Sequence, residues 1–147
     1  MRTPFPLLHA MPPALHAVVL DFLWDRERLW SLELPVTRVP TADLAWHLRL
    51  PLWSFGGRPF VLTPEAVAQH PTTFTVQYAR TTSADLAFPI HVLQRPTGLT
   101  VLDGMHRLLK ARLEGHPTVA AKVVPFSRLD DFAQFSPDPV SDAPGRR

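Results

Sequence analysis

The stretch Leu99-Thr100-Val101-Leu102-Asp103-Gly104-Met105-His106-Arg107-Leu108-Leu109-Lys110-Ala111 decides how this chain is organised. Its first four residues follow the turn signal Arg95-Pro96-Thr97-Gly98 and read as the returning strand of a hairpin whose first strand is 89–93. Gly104 ends that strand. Residues 105–114 carry a helical pattern, closed by Gly115 as a glycine just past the helix end. A further apolar run, 119–124, reads as the next strand. A strand that ends in Asp-Gly and flows into a helix brings three features to one point. The helix start offers unpartnered backbone N–H groups and a partial positive charge. Gly104 permits close approach of the backbone to a ligand. Arg107 supplies forked, charge-assisted hydrogen bonds suited to phosphate oxygens, and His106 adds a donor or a proton carrier. These residue types in this order read as a phosphate-binding turn. Asp103 stands at its lip, as a ligand for a metal that bridges phosphates or as acceptor of a proton from an attacking hydroxyl. The same residues also have a plainer reading, with Asp103 as the helix cap and Arg107 as the ion-pair partner of Asp103 or Glu114.

Upstream, Pro12-Pro13 opens a segment, 14–24, in which Leu15, Val18, Val19, Phe22 and Leu23 recur at helical spacing. A second short helix is expected over 25–32, and a short strand over 36–39. Thr41 is a candidate N-cap for a helix running to about His47. Phe55-Gly56-Gly57-Arg58-Pro59 reads as a loop or lid; it lacks the Gly-Lys-Ser/Thr of a phosphate loop. Thr63-Pro64-Glu65 is a strong helix start, with a hydroxyl cap, proline in the first position and an acid in the first turn. Another helix is expected to begin at Thr72 or Thr73 and reach about Arg80. Arg80 and Asp85 read as a structural ion pair, with Arg80 reaching the ligand as the alternative, and Ser127 as the cap of a last short helix. The order of elements predicts one small α+β (mixed α/β) domain over 1–135, with a helical N-terminal extension over 1–33 and a disordered tail over 136–147.

Composition narrows the function classes. Apolar residues make up 46% of the 147, enough for a globular core. Fifteen Lys and Arg against thirteen Asp and Glu give a net charge of only +2, and no basic stripe forms, so nucleic acid is not an expected partner. The chain has no cysteine, which excludes disulfides, thiolate metal sites and a cysteine nucleophile. None of the seven histidines falls into a zinc-ligand spacing. No apolar run approaches the ~18 residues of a membrane span, and the prolines near the start break any signal-peptide pattern. A cytoplasmic protein without a membrane partner is the expectation.

Residues 99–111, with Glu114-Gly115-His116-Pro117-Thr118-Val119-Ala120-Ala121-Lys122-Val123-Val124, resemble the signature segment of the ParB/sulfiredoxin superfamily. That segment is a strand, a Gly-x-x-Arg at a helix start, a helix ending in glycine, and a strand. Pro89-Ile90-His91-Val92 is similar to the family's preceding strand, and the likeness covers about 85–125. It implies a small domain with a short mixed sheet and helices packed on it, binding nucleotide (ATP, ADP or CTP) at the turn. Sulfiredoxins carry Gly-Cys-His-Arg, and Met105 stands here at the cysteine position, so reductase chemistry is not expected. Partitioning proteins carry Gly-Glu-Arg-Arg and need a helix-turn-helix domain for which about twenty residues leave no room. The free serine kinases, with Asp-Gly-His-His-Arg, are closest to Asp103-Gly104-Met105-His106-Arg107. The resemblance implies phosphate binding by Gly104, Met105, His106 and Arg107, with Asp103 and His106 catalytic and Mg²⁺ held through Asp103. Those kinases use a glutamate in a Pro-x-Glu context; Pro40-Thr41-Ala42-Asp43 offers Asp43 one position later as the candidate base. A nucleotide-dependent phosphotransferase or NTPase acting on a small hydroxyl-bearing molecule is the first expectation. A non-catalytic nucleotide-sensing or protein-interaction module is the second, and a DNA-associated relative the third.

Overall fold

The structure is a computed structural model and describes residues 1–137. From residue 138 onward, the tail expected at 136–147 lies outside the described residues. Among the described residues six strands and five α-helices carry the fold: α1 Arg26–Ser31, β1 Val36–Pro40, α2 Thr41–Leu44, β2 Trp53–Phe55, β3 Arg58–Leu62, α3 Pro64–Gln69, α4 Thr75–Thr82, β4 Ile90–Arg95, β5 Gly98–Asp103, α5 Met105–Leu113 and β6 Thr118–Pro125. This is the α+β class expected. The main sheet has the order β1-β6-β4-β5, with β4 and β6 parallel and the other two pairings antiparallel.

β4 is an inner strand, and Ile90, His91, Val92 and Leu93 are all buried in succession. Alternate residues therefore feed two cores, as a strand covered on both faces requires. Ile90 and Val92 join Val101, Leu108, Leu109, Val119 and Ala121 under α2, α5 and the 3-10 segment Ala45–Arg49. Leu93 joins Phe22, Leu29, Val124, Leu129 and Phe132 on the opposite face. That second face is closed by the N-terminal segment and by residues 126–133.

The N-terminal extension is helical only in part. The helix expected over 14–24 is replaced by a 3-10 turn, Pro13–Leu15, a further turn over 16–18, and chain bridged at Phe22 and Trp24. Pro4 bridges Phe22, and Trp24 bridges Ala133. Backbone bonds Phe5 N–H to Asp21 O, Leu23 N–H to Thr3 O and Gln134 N–H to Leu23 O satisfy this segment from outside. Tertiary pairing has overridden a helical spacing weakened by Val18-Val19. The expected loop at 55–59 is the tip of a β2–β3 hairpin. Gly56 and Gly57 both have positive φ, +61° and +75°, the requirement of a tight two-residue hairpin turn.

Of the helix-start signals, Thr63 behaves as read, whereas α4 begins at Thr75 after Phe74 rather than at Thr72 or Thr73, and Ser127 lies within the last 3-10 segment rather than capping it. Thr63 accepts from the Ala66 N–H as N-cap of α3. Thr41 is not a cap; it is buried at the start of α2, and its hydroxyl donates to His116 O at 2.8 Å, tying α2 to the entry of β6. Lys110 Nζ donates to Thr82 O and Ala84 O, fastening α5 to the exit of α4. The last short helix is the 3-10 segment Phe126–Asp131, preceded by Pro125 with no side-chain cap.

Candidate functional site

The β5–α5 turn is built around Gly104. Its backbone sits at φ +112°, ψ 26°, a conformation side-chain-bearing residues avoid. A Cβ there would lie 2.5 Å from Ile90 Cγ2 and 2.8 Å from Ile90 Cβ. The space beside Gly104 is thus filled by β4, and the close approach that demands glycine is internal. Gly104 is itself the N-cap of α5, so no side chain caps the helix, and Asp103 does not do so. Leu108 N–H is the first to find a helical carbonyl, on Gly104. The N–H groups of Met105, His106 and Arg107 precede it and form the positive end of the helix.

Asp103 and Arg107 pair with each other. Arg107 donates from one terminal nitrogen to Asp103 Oδ2 at 3.4 Å and from the other to Pro89 O at 2.7 Å. Asp103 Oδ2 also accepts from Trp30 Nε1 at 2.9 Å, and Oδ1 lies 3.6 Å from Arg26 Nε. Side-chain exposures of 12% for Asp103 and 18% for Arg107 make this a partly buried pair, so removing either partner matters more than for a surface pair. Of the two ion-pair partners open to Arg107, the structure selects Asp103; Glu114 pairs with His116.

His106 faces the other side of α5. Its ring stacks on Trp53 with centroids 4.4 Å apart and planes 12° from parallel. Nε2–H donates to Gln77 Oε1 at 2.7 Å, which leaves Nδ1 with the lone pair in the neutral ring. Burial holds its pKa below 6.5, helped by Arg80 and Arg107 and opposed by Asp103. The side chain of Met105 is partly buried and packs on the main core. Asp43 is exposed on α2. Its carbonyl accepts from Trp46 Nε1, and no hydrogen bond or ion pair among the described residues joins it to the motif. Arg80 does not pair with Asp85: Asp85 accepts from the Ala87 N–H, and Arg80 lines a cleft with Gln77 and the Gly56-Gly57 hairpin tip.

Beside the motif, at the start of β4, lies a cleft of about 410 Å³ lined by Trp30, Asp85, Phe88, Pro89, His91, Arg107 and Lys122. His91 stands between Asp103 of β5 and Lys122 of β6 in the strand register. It is 4% exposed, and neither ring nitrogen has a hydrogen-bond partner. Burial lowers its pKa, with Lys122 and Arg107 acting the same way and Asp103 opposing. His91 carried no weight in the motif reading; its one signal was a histidine inside the apolar run Ile90-His91-Val92-Leu93.

Magnesium at Asp103 does not fit these neighbours. The carboxylate already faces two guanidinium groups and an indole N–H. Among the described residues no group of three or more His, Asp or Glu side chains is placed to hold a metal ion. No described helix is long and apolar enough to cross a membrane. No family model, curated protein or solved structure matches the chain.

Proposed function

We propose that this chain is a nucleotide-binding protein that receives phosphate oxygens at the start of α5 and acts as a sensing or interaction module. The observation that carries the reading is the uncapped N-terminus of α5 at Gly104, with the Arg107 guanidinium anchored beside it on Pro89 O. Free N–H groups, a helix dipole and a pre-positioned guanidinium are the elements of an anion site. The likeness of Asp103–Arg107 to the ParB/sulfiredoxin motif supports a nucleotide as the anion.

A phosphotransferase or NTPase is the second reading, and Asp43 or Asp103 would be its base. Asp103 would first have to release Arg26, Trp30 and Arg107, which is why binding without turnover is preferred.

Calorimetric titration with ATP, ADP and CTP, with and without Mg²⁺, tests the reading directly. Saturable binding that weakens at least tenfold in Arg107→Lys, with unchanged circular dichroism, is the expected result; no binding of any of the three at millimolar concentration would refute it. Phosphate release, or transfer to a panel of amino acids and sugars, would transfer the assignment to the phosphotransferase. Steeply salt-dependent DNA binding would favour the DNA-associated alternative.

A further inference from the structure

His91 sets a question that the motif does not answer. A buried imidazole with both nitrogens unpartnered is costly, and folded proteins rarely tolerate it. This same fold satisfies its other fully buried histidine completely. His47 donates from Nδ1 to Leu44 O at 2.9 Å and accepts the Val101 N–H on Nε2 at 3.0 Å. His91 differs in lining a cleft, so the partner it lacks can come from a ligand.

The surroundings define that ligand. The Asp103 carboxylate is shared by the Arg107 and Arg26 guanidiniums. Lys122, half-buried in the same row as His91, forms no ion pair among the described residues, and its one polar contact is Leu32 O at 3.5 Å. Asp85 sits exposed at the rim, turned to the Ala87 N–H. Three cations, Arg26, Arg107 and Lys122, therefore face two carboxylates, Asp103 and Asp85, a net charge of +1 beside the imidazole. That balance favours a single negative charge over a phosphate dianion. The walls are apolar: Pro89, with the rings of Trp30 and Phe88, left 49% and 63% exposed at the mouth. A volume of about 410 Å³ suits a small organic molecule.

We propose that this cleft binds a small organic carboxylate with a flat apolar body. The carboxylate accepts from the His91 ring N–H and Lys122 Nζ, and the body lies against Trp30 and Phe88. This proposal does not rest on the nucleotide reading; of the residues named for the phosphate turn, Arg107 alone lines the cleft.

Benzoate serves as the probe, with benzamide and phenyl phosphate as comparisons, titrated into the full chain and followed by NMR of the Trp30 indole N–H and the His91 ring. Benzoate is expected to shift both signals saturably and to bind at least tenfold more tightly than benzamide or phenyl phosphate. Lys122→Met should abolish the preference for benzoate over benzamide, and His91→Phe should weaken benzoate at least tenfold; the Lys122 site is half-buried, so that variant remains informative if His91→Phe does not fold. Equal binding of benzoate and benzamide, tighter binding of phenyl phosphate, or an unchanged preference in Lys122→Met would each overturn the proposal. So would ATP displacing benzoate competitively, since the cleft would then belong to the nucleotide site.

Discussion

Substituting Gly104 by alanine separates two reasons for a glycine at this turn. If the glycine is there to admit a ligand, Gly104→Ala should lose binding and keep its stability. The structure assigns the constraint to the fold. The new Cβ would stand 2.5 Å from Ile90 Cγ2 and 2.8 Å from Ile90 Cβ, and Ile90 is fully buried with 0% exposure, so it cannot swing out to solvent. Forcing extra volume into a packed core costs about 1–3 kcal/mol. Holding a residue other than glycine at positive φ adds about 1–2 kcal/mol. The expected loss is therefore about 2–5 kcal/mol, a large share of the ~5–15 kcal/mol that stabilises an ordinary domain. Gly57→Ala provides the control, because Gly57 also has positive φ, +75°, but no heavy atom lies within 4 Å of its would-be Cβ. It should show the backbone cost alone. Urea denaturation of both variants, followed by tryptophan fluorescence, measures the difference. If Gly104→Ala is no less stable than Gly57→Ala, the collision with Ile90 is not what fixes this glycine, and the reasoning fails.

Burial is the main reason that His47, His91 and His106 each lie below the ordinary histidine pKa of 6.5. As pH falls through 6.5 the unfolded chain takes up protons that the fold does not. Stability fully present above that pH should then decline at up to about 1.4 kcal/mol per pH unit for each histidine, until the folded-state values are reached. Urea melts at pH 7.5 and 5.5 that give the same stability would contradict this. Thr63→Ala removes the hydroxyl that accepts the Ala66 N–H at 3.0 Å, and should cost about 1 kcal/mol by urea denaturation, with Thr63→Ser recovering most of it. A loss equal in both variants would point away from the cap.

The second half of the chain was legible because each boundary is marked by a local residue. Gly98 turns the β4–β5 hairpin, Gly104 ends β5, and Gly115 at φ +76° ends α5. Residues 14–24 were misread because their backbone partners are Thr3, Phe5 and Gln134, which no local spacing reveals. The β2–β3 hairpin was hidden by strands of three and five residues, too short to show alternation. At the candidate site, the motif marked the β5–α5 turn, but side-chain chemistry alone could not show where each group points. Arg107 and Asp103 face one another, and His106 faces Gln77. The cleft depends on Trp30, His91, Arg107 and Lys122, which stand far apart in sequence and meet through strand register and α1 packing.

The divergent headings of His106 and Arg107 have a mechanical consequence. Consecutive residues on a helix diverge by about 100°, so the first turn of α5 extends one arm toward the hairpin and another toward the cleft. The Trp53 stack and the Gln77 hydrogen bond hold the first arm; Pro89 O and Asp103 hold the second. A tilt of that turn displaces both arms together, because a single rigid element joins them. The hairpin and the cleft thus share a pivot, and a substitution at Trp53 would be felt on the far side of the helix, at residues it never touches.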